Sequence, residues 1–421
     1  MRRDTFAIIA IAAAGQGVSY ALAILLARRL GIAGFEAYVV ASAVFIVLVA
    51  IAPCGLDRYA LRLLPALLVR NDWDGAHGFL RFGVRTALLA ASAMALVVGA
   101  SVWWWPGIVP ETRLAIVLSC LALPGGALAH FGGEVLMATG RELLATAILR
   151  IMVPVAVIVL VGIAIASPLG VSGPVAIAAW GLVWVGTVGL LATMIRSAMP
   201  PPVWRAEARE SPREWRDQAS VFWVHRIAMA TMAQASVVAL ELLQPSSAAV
   251  GAYAAALATA SPALVLVTAT NRIYARRLSI LLEQNHLGAL LALRRKRLVW
   301  LVPAVAVFLF VTIVFASEVM SIFGPGFVED GATPLRLISA ATAFTIIFAL
   351  SPTYLKYRQR RAVLLGTMSA ASACQLVLLV VLVPGLGATG AAIAFGLSIG
   401  GMYGVFAVIA WRDLKSAKEG A

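Results

Sequence analysis

Seven arginines stand inside or at the ends of long apolar stretches: Arg58, Arg62, Arg150, Arg226, Arg272, Arg276 and Arg277. A guanidinium fork holds phosphate-like oxyanions through paired hydrogen bonds, which lysine cannot match. Arg58 and Arg62 are four residues apart and so share one helix face. The plainer reading of these two, and of Arg272, Arg276 and Arg277, is that they snorkel to lipid headgroups. Arg226 follows His225 and is open to headgroup binding or a structural role, while Arg150 suits a structural pair with Glu134 or Glu142. His130 and Glu134 are again four apart, a protonatable pair that could couple movement to a proton gradient or simply cap a span. Gln16 lies between Gly15 and Gly17, where a buried amide suits a bent, cavity-lining segment or an interhelical hydrogen bond.

The elements that position these residues follow from composition. The chain is 62% hydrophobic and only 12% charged, with a mean hydropathy of +0.95. That excludes a soluble globular protein. Twelve stretches are long enough to cross a bilayer: Thr5–Ala27, Ala37–Leu56, Thr86–Trp105, Leu114–Gly133, two within Leu143–Met194, Ala219–Leu240, Ser247–Tyr274, Leu298–Ser317, Leu337–Leu355, and two within Ala362–Trp411 divided at Pro384–Gly387. The first follows Arg2-Arg3 and could pass for a signal peptide, but its length and its partner in a later repeat favour an uncleaved helix. Trp103, Trp104 and Trp105 make an interfacial belt. Cys54, Cys120 and Cys374 show no metal or redox spacing.

A repeat runs through the chain. Glu36–Leu63 aligns without a gap on Gly251–Leu278, pairing Tyr38 with Tyr253, Tyr59 with Tyr274 and Arg62 with Arg277 at an offset of 215. Leu169–Gly173 echoes Leu386–Gly390 at an offset of 217. In membrane carriers such self-similarity points to paired lobes. The expected organisation is an all-α polytopic membrane protein: a six-helix lobe over 1–197, an interfacial linker over 198–217 and a second six-helix lobe over 218–421. With both termini cytoplasmic, every one of the 33 Lys and Arg except Arg28, Arg29, Arg113 and Arg336 falls on the inner side. The positive-inside rule requires that bias, and it accounts for the net charge of +14 without nucleic acid. No loop is longer than about two dozen residues, and no Walker, HExxH or GxSxG motif occurs, so the expectation is a carrier and not an enzyme.

The chain resembles the polysaccharide (O-antigen type, Wzx-type) flippases of the multidrug/oligosaccharidyl-lipid/polysaccharide exporter superfamily. The resemblance rests on Leu30–Tyr38, on Gly55-Leu56 with Arg62, on Ala249–Tyr253, on Ile322–Phe327 and on Gly387–Ala394. It implies a bacterial inner-membrane protein that moves an undecaprenyl-pyrophosphate-linked oligosaccharide by alternating access, with a polysaccharide polymerase or glycosyltransferases as candidate partners besides membrane lipids. The headgroup would then meet Arg58, Arg62, Arg226, Arg272, Arg277 and Gln16, while Glu134 and His130 serve coupling. No cofactor is expected beyond a proton or sodium gradient. Relatives often carry an acid in the seventh helix where this chain has Ser236, and the nearest acid is Glu241. The alternatives are a cation-coupled multidrug exporter of the same architecture, against which the arginine-rich spans count, and a membrane-embedded polymerase or ligase, which would need a large outer loop.

Overall fold

The computed structural model describes residues 2–105, 107–168, 170–244, 248–284 and 287–419; the side chains of 2–5, 272, 276, 287, 291 and 414–419 are not included in that description. All regular structure among the described residues is helical. The helices are α1 (Arg2–Ile51), α2 (Leu56–Val69), α3 (Trp73–Trp104), α4 (Pro110–Ala138), α5 (Glu142–Ala166), α6 (Gly173–Ala198), α7 (Pro212–Leu243), α8 (Ala249–Ala260), α9 (Val265–Glu283), α10 (Leu287–Val314), α11 (Ala316–Ser321), α12 (Val328–Phe348), α13 (Leu350–Tyr357) and α14 (Arg361–Glu419).

Among the described residues ten helical stretches are long and apolar enough to span a membrane, and two of them, Phe6–Ile51 and Arg361–Asp413, run to 46 and 53 residues. About 20 residues suffice for one crossing. Each of the two is broken by a glycine with positive φ, Gly31 (69°) in α1 and Gly387 (53°) in α14. Counting each as two restores the twelve expected spans. The break at Gly387 lies at the anticipated Pro384–Gly387 division, and Gly170, its repeat counterpart, also has positive φ (67°). By contrast, α1 stays helical through Gly15–Gly17, so the bend expected around Gln16 is not there.

The chain forms two compact units, residues 25–246 and residues 1–24 with 247–421. Helix α7 belongs to the first unit and the start of α1 to the second. In the first unit α4 is central, touching α2, α3 and α6. Its small residues allow this approach; a Cβ added at Gly126 would run into the Phe45 ring. In the second unit α12 is central, against α8, α10 and α14. The tyrosines that mark the repeat are buried in all four cases.

The segment between α6 and α7 is shorter than expected. A single 3₁₀ turn covers Pro201–Trp204, and residues from Pro212 onward already belong to α7. This segment is fastened to the start of α3: Arg209 N donates to Asp74 O (3.1 Å), Arg209 pairs with Asp72 (2.6 Å), and His77 Nδ1 meets Ala206 O at 2.8 Å. Helix α9 ends at Glu283, and α10 runs through Arg294–Arg297 without interruption. Arg297 is buried because its guanidinium donates to the Ile346 and Ile347 carbonyls at the end of α12, the latter at 2.9 Å.

Candidate functional site

The first unit gathers its charges around the start of α2. Pro53 is followed by Cys54 (φ 50°) and Gly55 (φ 77°), which end α1 and start a separate helix. Arg58 and Arg62 therefore sit on α2 and not at the tip of the second span. Gly55 is needed for more than its dihedral: a Cβ there would lie 2.7 Å from Trp223 N of α7. Trp223 Nε1 donates to Ile51 O across 2.9 Å, satisfying a carbonyl at the end of α1.

This close approach sets Asp57 against Arg226. Asp57 is 1% exposed and lies 3.3 Å from Arg226 Nη2, whose side chain is 17% exposed. Arg226 Nε is buried without a hydrogen-bond partner among the described residues. One residue on, Arg58 turns to α4 and meets Glu134 at 3.2 Å, its own side chain still 43% exposed. A turn along α4, His130 stacks on Trp184 of α6 with ring centroids 4.9 Å apart and planes 23° apart. The charges of Arg226, Arg150 and Arg58 all act on His130, and Asp57 and Glu142 join Arg58 and Arg226 around Glu134. Arg150 stands on a π-turn, Ile148–Met152, an irregularity often met at functional sites.

Of the anticipated residues, Arg58 and Glu134 are in contact, while Arg226 pairs with Asp57 and His130 stacks on Trp184. His130 and Glu134 take different partners, Trp184 and Arg58, and the Glu134 carboxylate goes to Arg58 in place of the Arg150 pairing weighed from the sequence. Arg62 points outward from α2. Arg277, exposed on α9, and Gln16, half-buried on α1, belong to the second unit, and the Arg272 side chain lies outside the described residues. Sequence reading passed over Asp57, although an acid in the first turn of a helix next to two arginines is a signal for ion pairing.

A second constellation was not anticipated as a site. Glu36, on α1 just after the Gly31 break, faces Glu241 near the end of α7, and they are 6% and 2% exposed. With both ionised, neither Glu241 oxygen has a donor among the described residues; with a proton between them, the carboxyls hydrogen-bond each other. Such a pair can take up and release a proton or accept a cation in its place.

No family model and no curated protein matches this sequence. Solved structures do match over nearly the whole chain. A multidrug resistance MATE family transporter of the MOP superfamily, in an inward-facing conformation, superposes with a TM-score of 0.76 at 11% identity, covering 99% of each chain. The fold is MATE-like. A structure described as the outward-facing conformation of such a transporter gives a TM-score of 0.62 at 16% identity, over 99% of this chain and 96% of the other. A MOP superfamily transporter from Pyrococcus furiosus, described by a binding pocket of reversed polarity that suggests a different function, gives 0.64 at 14% identity, over 98% and 96%.

Proposed function

We propose that this chain is an alternating-access exporter of a bacterial inner membrane. Its end-to-end likeness to MATE transporters in inward-facing and outward-facing conformations carries the reading. Pumping requires a coupling element, and the Glu36–Glu241 pair supplies the chemistry better than His130 and Glu134, because Glu134 is engaged by Arg58 and His130 lies among three guanidiniums. A proton or sodium ion would be the coupling species.

On cargo, the solved neighbours favour multidrug export, since the transporters they resemble are described by that activity. One observation favours a second reading, the flipping of a lipid-pyrophosphate-linked oligosaccharide. Arg58, Arg150 and Arg226 stand on three different helices and their charges all act on His130, and a buried Arg226 N–H has no hydrogen-bond partner among the described residues. Oxyanions suit such forks and cationic drugs do not. That a MOP superfamily transporter has a pocket of reversed polarity supports different cargo charges on this architecture.

A deletion strain separates the two. Raised sensitivity to lipophilic cations with normal surface polymer supports drug export. Accumulated undecaprenyl-linked sugars with surface polymer lost, rescued by wild type and not by Arg58→Ala, supports flipping. Neither phenotype under native expression would overturn both cargo readings.

A further inference from the structure

The first unit carries an unfilled groove on the face of α4 opposite its ion cluster. His130 and Glu134 look toward Trp184 and Arg58, whereas Phe131, Gly132 and Val135 form the floor of a cavity of about 790 Å³. One wall comes from α3 and the other from α6. Gly132 lets α4 lie close to α6, where an added Cβ would touch the Leu191 and Ile195 side chains. Along most of its length the lining is aliphatic, with Val84 and Leu88 of α3 exposed across from Val188 of α6.

The chemistry changes at one end. Arg81 and Arg85, a turn apart on α3, Arg196 near the end of α6 and Trp204 of the 3₁₀ turn all line the same mouth, and no acid belongs to the lining. Glu210 pairs with Arg85 at 2.9 Å and approaches Arg81 Nε at 4.0 Å. One carboxylate thus stands beside two of three guanidiniums, and Arg81 and Arg196 stay exposed. An apolar trough about 10 Å long from Arg81 to Leu88, at 1.5 Å per residue, closed by cations and an indole, complements one class of molecule.

We infer that this groove is a binding site for an anionic diacyl phospholipid, its acyl chains along Val84, Leu88 and Val188 and its phosphate between Arg81 and Arg196. A free phosphate would leave the trough empty, and a neutral lipid would leave one carboxylate, Glu210, to offset three guanidiniums. The site is distinct from the cargo cluster on the other face of α4, so it stands whichever cargo is carried.

The purified full-length chain in neutral detergent can be titrated with dioleoyl-phosphatidylglycerol or dioleoyl-phosphatidylcholine and read by native mass spectrometry. Retention of phosphatidylglycerol over phosphatidylcholine is expected, unaffected by added inorganic phosphate. Arg81→Gln with Arg196→Gln should weaken it roughly tenfold or more, as expected for two interfacial cations facing an anionic headgroup. Both residues are exposed, so the variant should keep the wild-type elution profile. Val84→Trp, at an exposed position of the trough, should lower the retention of phosphatidylglycerol by filling it while leaving all arginines in place. Equal retention of the two lipids, unchanged retention in both variants, competition by inorganic phosphate, or a second copy of the chain bound in place of lipid would each overturn the assignment.

Discussion

Trp223 of α7 donates its indole N–H to Ile51 O at the end of α1, 2.9 Å away, directly beside the point where Gly55 lets the α7 backbone close in. One hydrogen bond and one missing Cβ therefore hold together the helices that carry Asp57, Arg58 and Arg226.

Trp223→Phe keeps most of the ring and removes the donor. It should cost about 0.5–1.5 kcal/mol, the net worth of one hydrogen bond, because Ile51 O still accepts from Cys54 N at 3.0 Å. Gly55→Ala should cost more, since it adds both a backbone clash and a left-handed alanine. Melting temperatures in detergent should fall in that order, and an unchanged Gly55→Ala melt would refute the close approach.

Arg226→Ala strands the Asp57 carboxylate in a site that is 1% exposed. The expected loss is about 3–5 kcal/mol, typical of a buried pair broken on one side. The double change Arg226→Ala with Asp57→Ala should recover much of it. Arg58→Ala, at 43% exposure, should change stability by less than about 1 kcal/mol. A thermodynamic cycle of the three variants checks the contrast, and additivity of the Asp57 and Arg226 effects would contradict their pairing.

Glu36→Gln and Glu241→Gln each keep a hydrogen bond across the pair but remove a titrating group. Both variants should fold, still bind cargo, and lose transport driven by an imposed pH or sodium gradient in vesicles. Gradient-driven flux at the wild-type rate in both would remove the pair from coupling.

Arg297→Leu removes the guanidinium donor from the Ile346 and Ile347 carbonyls, of which Ile346 O keeps a long bond from Ala349 N (3.4 Å), at an expected cost of about 1–3 kcal/mol in all. Arg294→Ala, three residues earlier and exposed, should stay within about 0.5 kcal/mol. Chemical denaturation of the two proteins side by side would show the difference, and equal midpoints would argue that Arg297 is an ordinary basic flank.

Much of this architecture was legible in the sequence because apolar length and glycine position are local properties. The break at Gly387 and its echo at Gly170 could be read from a motif and its repeat. What resisted reading depended on which helix stands beside which. Arg297 belongs by position to a basic run, Arg294–Arg297, and only the carbonyls at the end of α12 distinguish it from its neighbours. Arg58 and Arg226 were visible as cations, but their separate partners, Glu134 and Asp57, come from packing of α2 on α4 and α7. Glu241 was noticed only as the nearest acid on its helix, and Glu36, 205 positions earlier, has no sequence pattern that ties it to its mate.

The grouping of α7 with residues 25–246, and of residues 1–24 with the later helices, has a counterpart in oligomers. Two copies of a chain that trade an end helix make a swapped dimer. Each repeat, cut out at the gene level, would leave behind a helix its own unit needs. Fragments 1–211 and 212–421 should therefore be degraded when made singly and accumulate as a stable pair when made together.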